Sequence, residues 1–552
     1  MTTRTTGPLG LESLPHDDIE LVTDVLVIGG GPAGTWAAIK AREAGAKVLL
    51  VDKGYCGTSG ATAAAGTGVW FVPPLAEARE QAMASREGMN GWLSDRRWMR
   101  RVLDETYSRV PELDVVSYPF PVDDAGEPER GGLQGPDYMK RQRRRVIATG
   151  ARIFDHSPVL ELLVDADGSV AGARGLRRQT GETYRVIAGA VVVAAGGCAF
   201  LSRALGTNVD TGDSYLLGAE VGAEFSGMEF SNSYSLAPAM TSVTKSAYYF
   251  FSTFYREDGS VLEGAGSQRG RSVIARTLLD EPVFCQLDQI EPELWGVLRD
   301  MQPNFFQPFD RVGIDPFTQR FPVTLILEGT VRGTGGLRIV DDACSTTVPG
   351  LFAAGDAATR ELICGAFTGG GSHNSAWAIS SGTWAGQGAA RHALAVGAAG
   401  GTRHIRGAGT AALRPSDNAG APEEFRDVIA TVQGEVQPYD KNYFRTGPGL
   451  AASLAVLDST WIEVRRSLLG QGKDAFKARE AAAMVATARW MYRSALARTE
   501  SRGMHKRDDF PALDPAQRHR MISGGLDHVW TDTESLDGVD SGMALVGAGG
   551  GQ

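Results

Sequence analysis

The chain has 552 residues, 43% of them apolar and 22% charged, with a net charge of −10. That is long enough for two or three domains around a large core. The acidic balance argues against a nucleic-acid surface, which needs clustered positive charge. No run approaches the ~18 apolar residues of a membrane span, and the first residues lack an apolar stretch of signal-peptide type. Five scattered cysteines without a C-x-x-C pair argue against a cysteine-bound iron–sulfur cluster or zinc knuckle and suit a reducing cytoplasm. Glycine is in excess: 70 of 552 residues, roughly 13% against an average of about 7%. With no Gly-X-Y period, this means many positions where backbone turns with positive φ or approaches another group closely.

Taken in chain order, Asp24–Ile28 is a short apolar run that reads as a buried parallel strand. It leads into Gly29-Gly30-Gly31-Pro32-Ala33-Gly34, then a helix over 35–44 and a second strand over 47–51, closed by Asp52. The spacing fits G-x-G-x-x-G on Gly29, Gly31 and Gly34. Gly29 suits a tight turn, Gly31 lets backbone approach a pyrophosphate, and Gly34 lets helix and strand pack closely. The helix N-terminus offers free N–H groups to phosphate, and Asp52 can accept from ribose hydroxyls. The motif by itself leaves NAD and FAD open. The small-residue stretch 57–68 then allows a bulky planar group to lie on backbone. A charge run over 140–145 falls on a predicted helix and reads as a solvated face or as a docking patch for an acidic partner. A buried strand over 190–195 runs into Gly196-Gly197. Another over 349–354 ends at Gly355-Asp356, and a long helix follows over 375–394. The sheet is thus left and re-entered around a large insertion. No internal repeat is visible.

At DVLVIGGGPAG (24–34), TSGATAAAG (58–66), VVVAAGG (191–197), TGDSYLLGAEVGAEFSGMEF (211–230), VPGLFAAGD (348–356) and RTESRGMHKRDDFP (498–511), the sequence resembles the flavoprotein subunits of the succinate dehydrogenase and fumarate reductase family. That group includes L-aspartate oxidase and the adenylylsulfate reductase flavoprotein. The resemblance spans nearly the whole chain. It implies an α/β fold, in which an FAD-binding Rossmann-type parallel sheet carries an inserted α+β capping domain and a C-terminal helical domain. It also implies FAD as cofactor, held by Gly29, Gly31, Pro32, Ala33, Gly34, Asp52, Lys53, Thr58, Ser59, Gly60, Ala64, Gly66, Val159, Ala195, Gly196, Asp213, Gly355, Asp356 and Asn374. The family's turn at 498–508 implies a tie between the helical and flavin domains.

The same resemblance shows departures. Where covalent members bond the flavin to histidine this chain has Gly60, which implies noncovalent FAD. Tyr234 stands at the substrate-binding histidine, Val331-Arg332-Gly333-Thr334-Gly335-Gly336 lacks the histidine of H-x-x-M-G-G, and 368–372 lacks the carboxylate-binding arginine. Ser380-Ser381-Gly382 resembles the adenylylsulfate reductase branch, yet Trp377 replaces that branch's histidine.

Three side chains are candidates for chemistry. Arg332, in a glycine-rich loop, can bind an anion bidentately. His373, before a helix, can donate a proton or hydrogen-bond the flavin. The phenol of Tyr234 can donate a hydrogen bond but is a poor acid at neutral pH. Arg256, Arg269 and Arg271 in the insertion are further anion-binding candidates. The expected function is an FAD-dependent oxidoreductase that moves a hydride or two electrons between flavin N5 and a small anionic substrate. The second carrier is oxygen, a quinone or a separate ferredoxin-like iron–sulfur protein. An oxygen-using amine or amino-acid oxidase and a non-catalytic flavoprotein electron relay are the alternatives. The expected organisation is an N-terminal arm (1–22), an FAD-binding domain in two parts (23–225 and 346–398), a capping domain (226–345), a linker (399–422), a helical domain (423–512) and a mobile C-terminal tail (513–552).

Overall fold

The computed structural model describes residues 17–244, 246–267, 270–368, 370–397, 405–414 and 424–542. The core is an eight-stranded sheet. Its path runs Arg406–Gly407, Val159–Val164, Val170–Leu176, Thr183–Val193, Ile19–Ile28, Val48–Val51 and Arg152–Phe154, and Leu351–Ala353 pairs with Thr183–Val193 off this path. The strands that carry the motifs are parallel: Ile28 lies beside both Val51 and Val193, and Ala353 beside Val193. All these ends therefore point at one edge, where ligands of open α/β sheets bind. The run Val25–Leu26–Val27 is fully buried, because helices cover both faces of a parallel sheet. The helix Gly370–Val396 lies against the first helix, Pro32–Glu43, and against the sheet.

A second, antiparallel sheet of order Ser233–Pro238, Phe321–Glu328, Val283–Gln286 and Thr253–Tyr255 forms the insertion. Phe305, Phe306 and Phe309 of the helix Pro303–Val312 pack beneath it, with Phe309 against Phe321 at 4.7 Å. The helices Phe425–Val436, Gly447–Arg466 and Ala475–Ala497 form the helical part. Ala475–Ala497 is buried nearly all round, as an alanine-rich helix inside a large domain can be. Among the described residues no helix is long and apolar enough to cross a membrane.

Four stretches differ from the sequence reading. The first strand begins at Ile19, within the expected arm, because its early residues pair with Tyr184–Ala188. Residues 405–414 of the expected linker are built into the sheet edge: Arg406–Gly407 pairs with Leu163–Val164, and Arg414 forms a two-pronged ion pair with buried Glu161. In the expected tail, His519–Gly524 and Trp530–Ser535 form a hairpin that pairs with Phe225–Ser226. The charge run 140–145 is only partly solvated. Arg141, Arg143 and Arg145 pair with Asp137, Asp155 and Glu112, while Lys140 and Arg144 are exposed. Residues 1–16, the linker at 398–404 and 415–423, the closing glycines after 542, Gly369 and Arg269 lie outside the described residues.

Candidate functional site

A cavity of about 820 Å³ runs from the glycine turn to the inserted sheet. At its base the helix Pro32–Glu43 starts after Gly31, which supplies no side-chain cap, so first-turn N–H groups are left for an anion. Gly34 has a steric reason to be glycine: a Cβ there would lie 1.8 Å from the Gly29 carbonyl oxygen. Gly29, Gly31, Pro32 and Ala33 line the cavity, whereas Gly34 stands behind them. Asp52 also lines it, and its carboxylate accepts from Gly30 N, Gly54 N at 2.7 Å and Ser59 Oγ at 2.7 Å. It therefore shapes both glycine loops as well as facing the ligand space.

At one end, Lys53 and Asp213, both expected at the cofactor, meet residues that the sequence reading did not assign. Lys53 Nζ donates to Thr211 Oγ1 at 2.9 Å, Asp213 Oδ2 at 2.7 Å and Glu480 Oε1 at 2.9 Å. Burial pulls the Lys53 pKa down, but Asp213 and Glu480 outweigh it and the net shift is upward. Glu480 and Phe476 belong to the helix Ala475–Ala497, and Arg178 stacks on Phe476 at 4.4 Å. All of these residues except Thr211, with Val159, Ala195 and Gly196, line the cavity. Nothing local marks Phe476 or Glu480, because the helical domain reaches this wall only through the fold.

The middle is floored by Thr58, Ser59, Gly60 and Gly66, with Gly355, Asp356 and Asn374 across from them. Ala64, expected here, does not reach the wall. Gly60 has φ +88°, and a Cβ on it would lie 2.8 Å from Pro32 Cδ and 3.0 Å from Gly31 Cα. Backbone therefore meets backbone where covalent relatives were expected to carry histidine. The glycine floor, the free helix N-terminus and the polar end around Lys53 together fit a dinucleotide with a flat ring system.

The far end reaches the insertion. Arg332, the last residue of the short helix Gly329–Arg332, lines the cavity. Its Nε is 3.7 Å from Glu328 Oε2 and has no hydrogen-bond partner among the described residues. Glu328 is fully buried and accepts from Ser235 Oγ and from Thr244 Oγ1 at 2.9 Å. The loop is locked by Arg360, which donates to the carbonyls of Thr330 at 3.1 Å, Val331 at 2.9 Å and Gly333, and pairs with Asp356. Arg271, the weaker candidate by sequence, opens the helix Arg271–Thr277 and lines the same cavity. Burial and then the charge of Arg332 lower its pKa. Arg256 instead pairs with Glu281 at the surface.

Two catalytic candidates are corrected. Tyr234 is buried away from the cavity: its hydroxyl contacts the Val436 and Gln437 carbonyls at 2.9 Å, and its ring packs on Tyr439 and Tyr443. Only its own carbonyl takes part near the site, accepting from Arg271 at 3.2 Å. His373 is buried against Trp70, with ring centroids 4.2 Å apart, and lines a separate small recess with Met89, Cys364 and Phe367. The helical turn at this point directs Asn374, not His373, into the main cavity. Trp377 is likewise structural, donating to the Gly355 carbonyl at 3.1 Å.

Behind the site lies a buried ionic cluster from the 498–508 turn. Arg498 pairs with Glu229 at 2.9 Å and Glu500 at 2.8 Å, Arg502 pairs with Glu500 at 2.6 Å, and Arg445 meets His505 Nδ1 at 2.8 Å. Since arginine only donates, His505 accepts there, and burial with the surrounding arginines drives its pKa well down. Arg502 also donates to the Gly91 carbonyl, which ties the helical domain to the flavin domain. Nearby, burial and the Glu229 charge push Glu361 up to about 8.

Known proteins agree with this geometry. Residues 24–247 match the FAD binding domain model, and residues 440–530 match the fumarate reductase flavoprotein C-terminal model. L-aspartate oxidase of Streptomyces coelicolor is 26% identical, over 91% of this chain and 91% of that one. One of the subunits of the CoM/CoB fumarate reductase of Methanothermobacter marburgensis is 25% identical, over 90% and 96%. Among solved structures, E. coli quinol fumarate reductase superposes with a TM-score of 0.76 at 20% identity, covering 94% of this chain and 97% of that one. Adenylylsulfate reductase of Archaeoglobus fulgidus superposes with a TM-score of 0.73 at 18% identity, covering 93% and 96%. The glycine turn and the helical part are thus each matched in sequence, and the overall fold is matched in structure. On that ground the chain is an FAD-dependent oxidoreductase of the succinate dehydrogenase, fumarate reductase and L-aspartate oxidase type.

Proposed function

We propose that this oxidoreductase acts on a small anionic substrate held by Arg271 and Arg332, with FAD bound noncovalently. The observation that carries the reading is that the guanidinium groups of Arg271 and Arg332, both from the inserted segment, line the same cavity as the phosphate turn. When bound, FAD supplies hydride or two-electron exchange at N5. The chain's own residues do the rest. Arg332 presents a fork for a carboxylate, its loop held in place by Arg360. Arg271 supports the same anion as a second, charged guanidinium. The cap residues around them exclude water and strengthen both contacts.

The second carrier in this reading is a separate ferredoxin-like iron–sulfur protein, in a cytoplasmic setting. The five cysteines are buried single thiols, so cluster ligands come from another chain. To test both claims, the purified yellow protein is titrated anaerobically with reduced ferredoxin and with candidate donors. Bleaching by ferredoxin supports the two-component reading. Bleaching by an amino acid, with peroxide on re-aeration, identifies an oxidase instead. Protein that neither carries nor takes up FAD overturns the central claim.

A further inference from the structure

The substrate end of the cavity is chemically divided. At one pole stand Arg271 and Arg332, with buried Glu328 close to Arg332. Two guanidiniums against one carboxylate leave a net single positive charge, suited to one anionic group. Much of the remaining wall is apolar, with Leu236, Tyr248, Tyr249, Phe250 and Met301 set among Thr244, Ser246 and Gln302. Tyr248 and Tyr249 are fixed by packing on Phe305, at 5.4 and 5.9 Å. Phe250 and Met301 are 49% and 65% exposed, so this wall runs out to the cavity mouth, where apolar surface gains from being covered. Within it, Tyr249 Oη and Ser267 Oγ are buried without a hydrogen-bond partner among the described residues, and both residues line the cavity.

We propose that the substrate is a monocarboxylate with an aromatic or medium-chain apolar body, rather than a compact dicarboxylate. Its carboxylate sits between Arg271 and Arg332, and its body lies along Tyr249, Phe250 and Met301. This inference rests on the anion-site reading above and narrows it.

The test is calorimetric titration of the FAD-loaded protein with 3-phenylpropionate, octanoate, succinate and 3-phenylpropan-1-ol. At least one of the two apolar acids is expected to bind roughly tenfold or more tightly than both succinate and the alcohol. The double variant Phe250→Ser, Met301→Ser, altered only at half-exposed positions, is expected to weaken the apolar acids by about tenfold and leave succinate unchanged. Succinate binding as tightly as the apolar acids overturns the proposal, as does equal weakening of all acids by the double variant. Arg332→Gln separates this failure from failure of the underlying reading. If that variant weakens every acid while succinate is preferred, only the substrate class is wrong. If it leaves every acid unchanged, or if no probe binds the parent protein, the anion site itself is wrong and the proposal falls with it.

Discussion

Arg271 and Arg332 come from different elements of the inserted domain, yet they face one cavity closely enough that the charge of Arg332, added to burial, lowers the proton affinity of Arg271. Two like charges are held together at a cost that an anion between them offsets. Removing either group should therefore weaken anion binding without disturbing the glycine turn. Arg271→Gln and Arg332→Gln are each expected to lower kcat/KM by roughly ten- to a hundredfold, the worth of a hydrogen bond to a charged group. The flavin-to-protein ratio should stay at the parent value. An unchanged kcat/KM removes that arginine from the site.

Gly60 meets the glycine turn at close range. Its φ of +88° and the 2.8 Å approach of Pro32 Cδ leave no room for a side chain. Protein precipitated with acid is expected to release all its flavin, and yellow colour retained in the pellet contradicts the noncovalent reading. Gly60→Ala is expected to weaken FAD retention on gel filtration, because the added Cβ must push the phosphate turn away.

Tyr234 is bonded into the join between the inserted sheet and the helical domain. Tyr234→Phe should lower stability by about 1 kcal/mol, read as a shift in the urea midpoint, with kcat/KM unchanged. A large loss of kcat with stability intact would restore Tyr234 to the chemistry. His373→Gln is expected to behave the same way, since His373 packs on Trp70 outside the main cavity.

Glu361 couples stability to pH. Burial and the neighbouring Glu229 raise its folded-state pKa to about 8, above the carboxylate value of an unfolded chain, about 4.3. A raised pKa means that the folded state holds the proton more tightly. The stabilisation is complete below the unfolded value and is lost as pH rises through the folded one. Glu361→Gln, which keeps the shape without the titration, should therefore gain on the parent in thermal midpoint by about one to two degrees, on the order expected for ~1–2 kcal/mol in a chain of this length, as pH rises from about 5 to about 8. Parallel midpoint curves for the two proteins would show that Glu361 does not hold its proton.

The contiguous part of the site was legible from sequence. A strand, glycine turn, helix, strand and acid lie within Asp24–Asp52, and each step is a local requirement of backbone geometry. The motif readings at 191–197 and 348–356 likewise fall on parallel strands, one ending beside Ile28 and the other beside Val193. Side chains chosen by their neighbourhood in sequence fared less well. His373 and Asn374 are adjacent, and only the turn of the helix decides which one meets the cavity. Tyr234 sits on a strand whose pleat turns its ring toward Tyr439 while its backbone serves Arg271.

The sequence by itself determined the parallel sheet, the dinucleotide-type turn and the glycine-lined floor, because hydrophobic period and glycine placement are properties of a few adjacent residues. Only the tertiary structure brought Arg271 beside Arg332, placed Glu480 and Phe476 of the helical domain at Lys53, and built Arg406–Gly407 and the 519–535 hairpin into sheets. Those pairings depend on where distant segments return after long crossovers. That outcome is set by the packing of the whole core, and no local pattern encodes it.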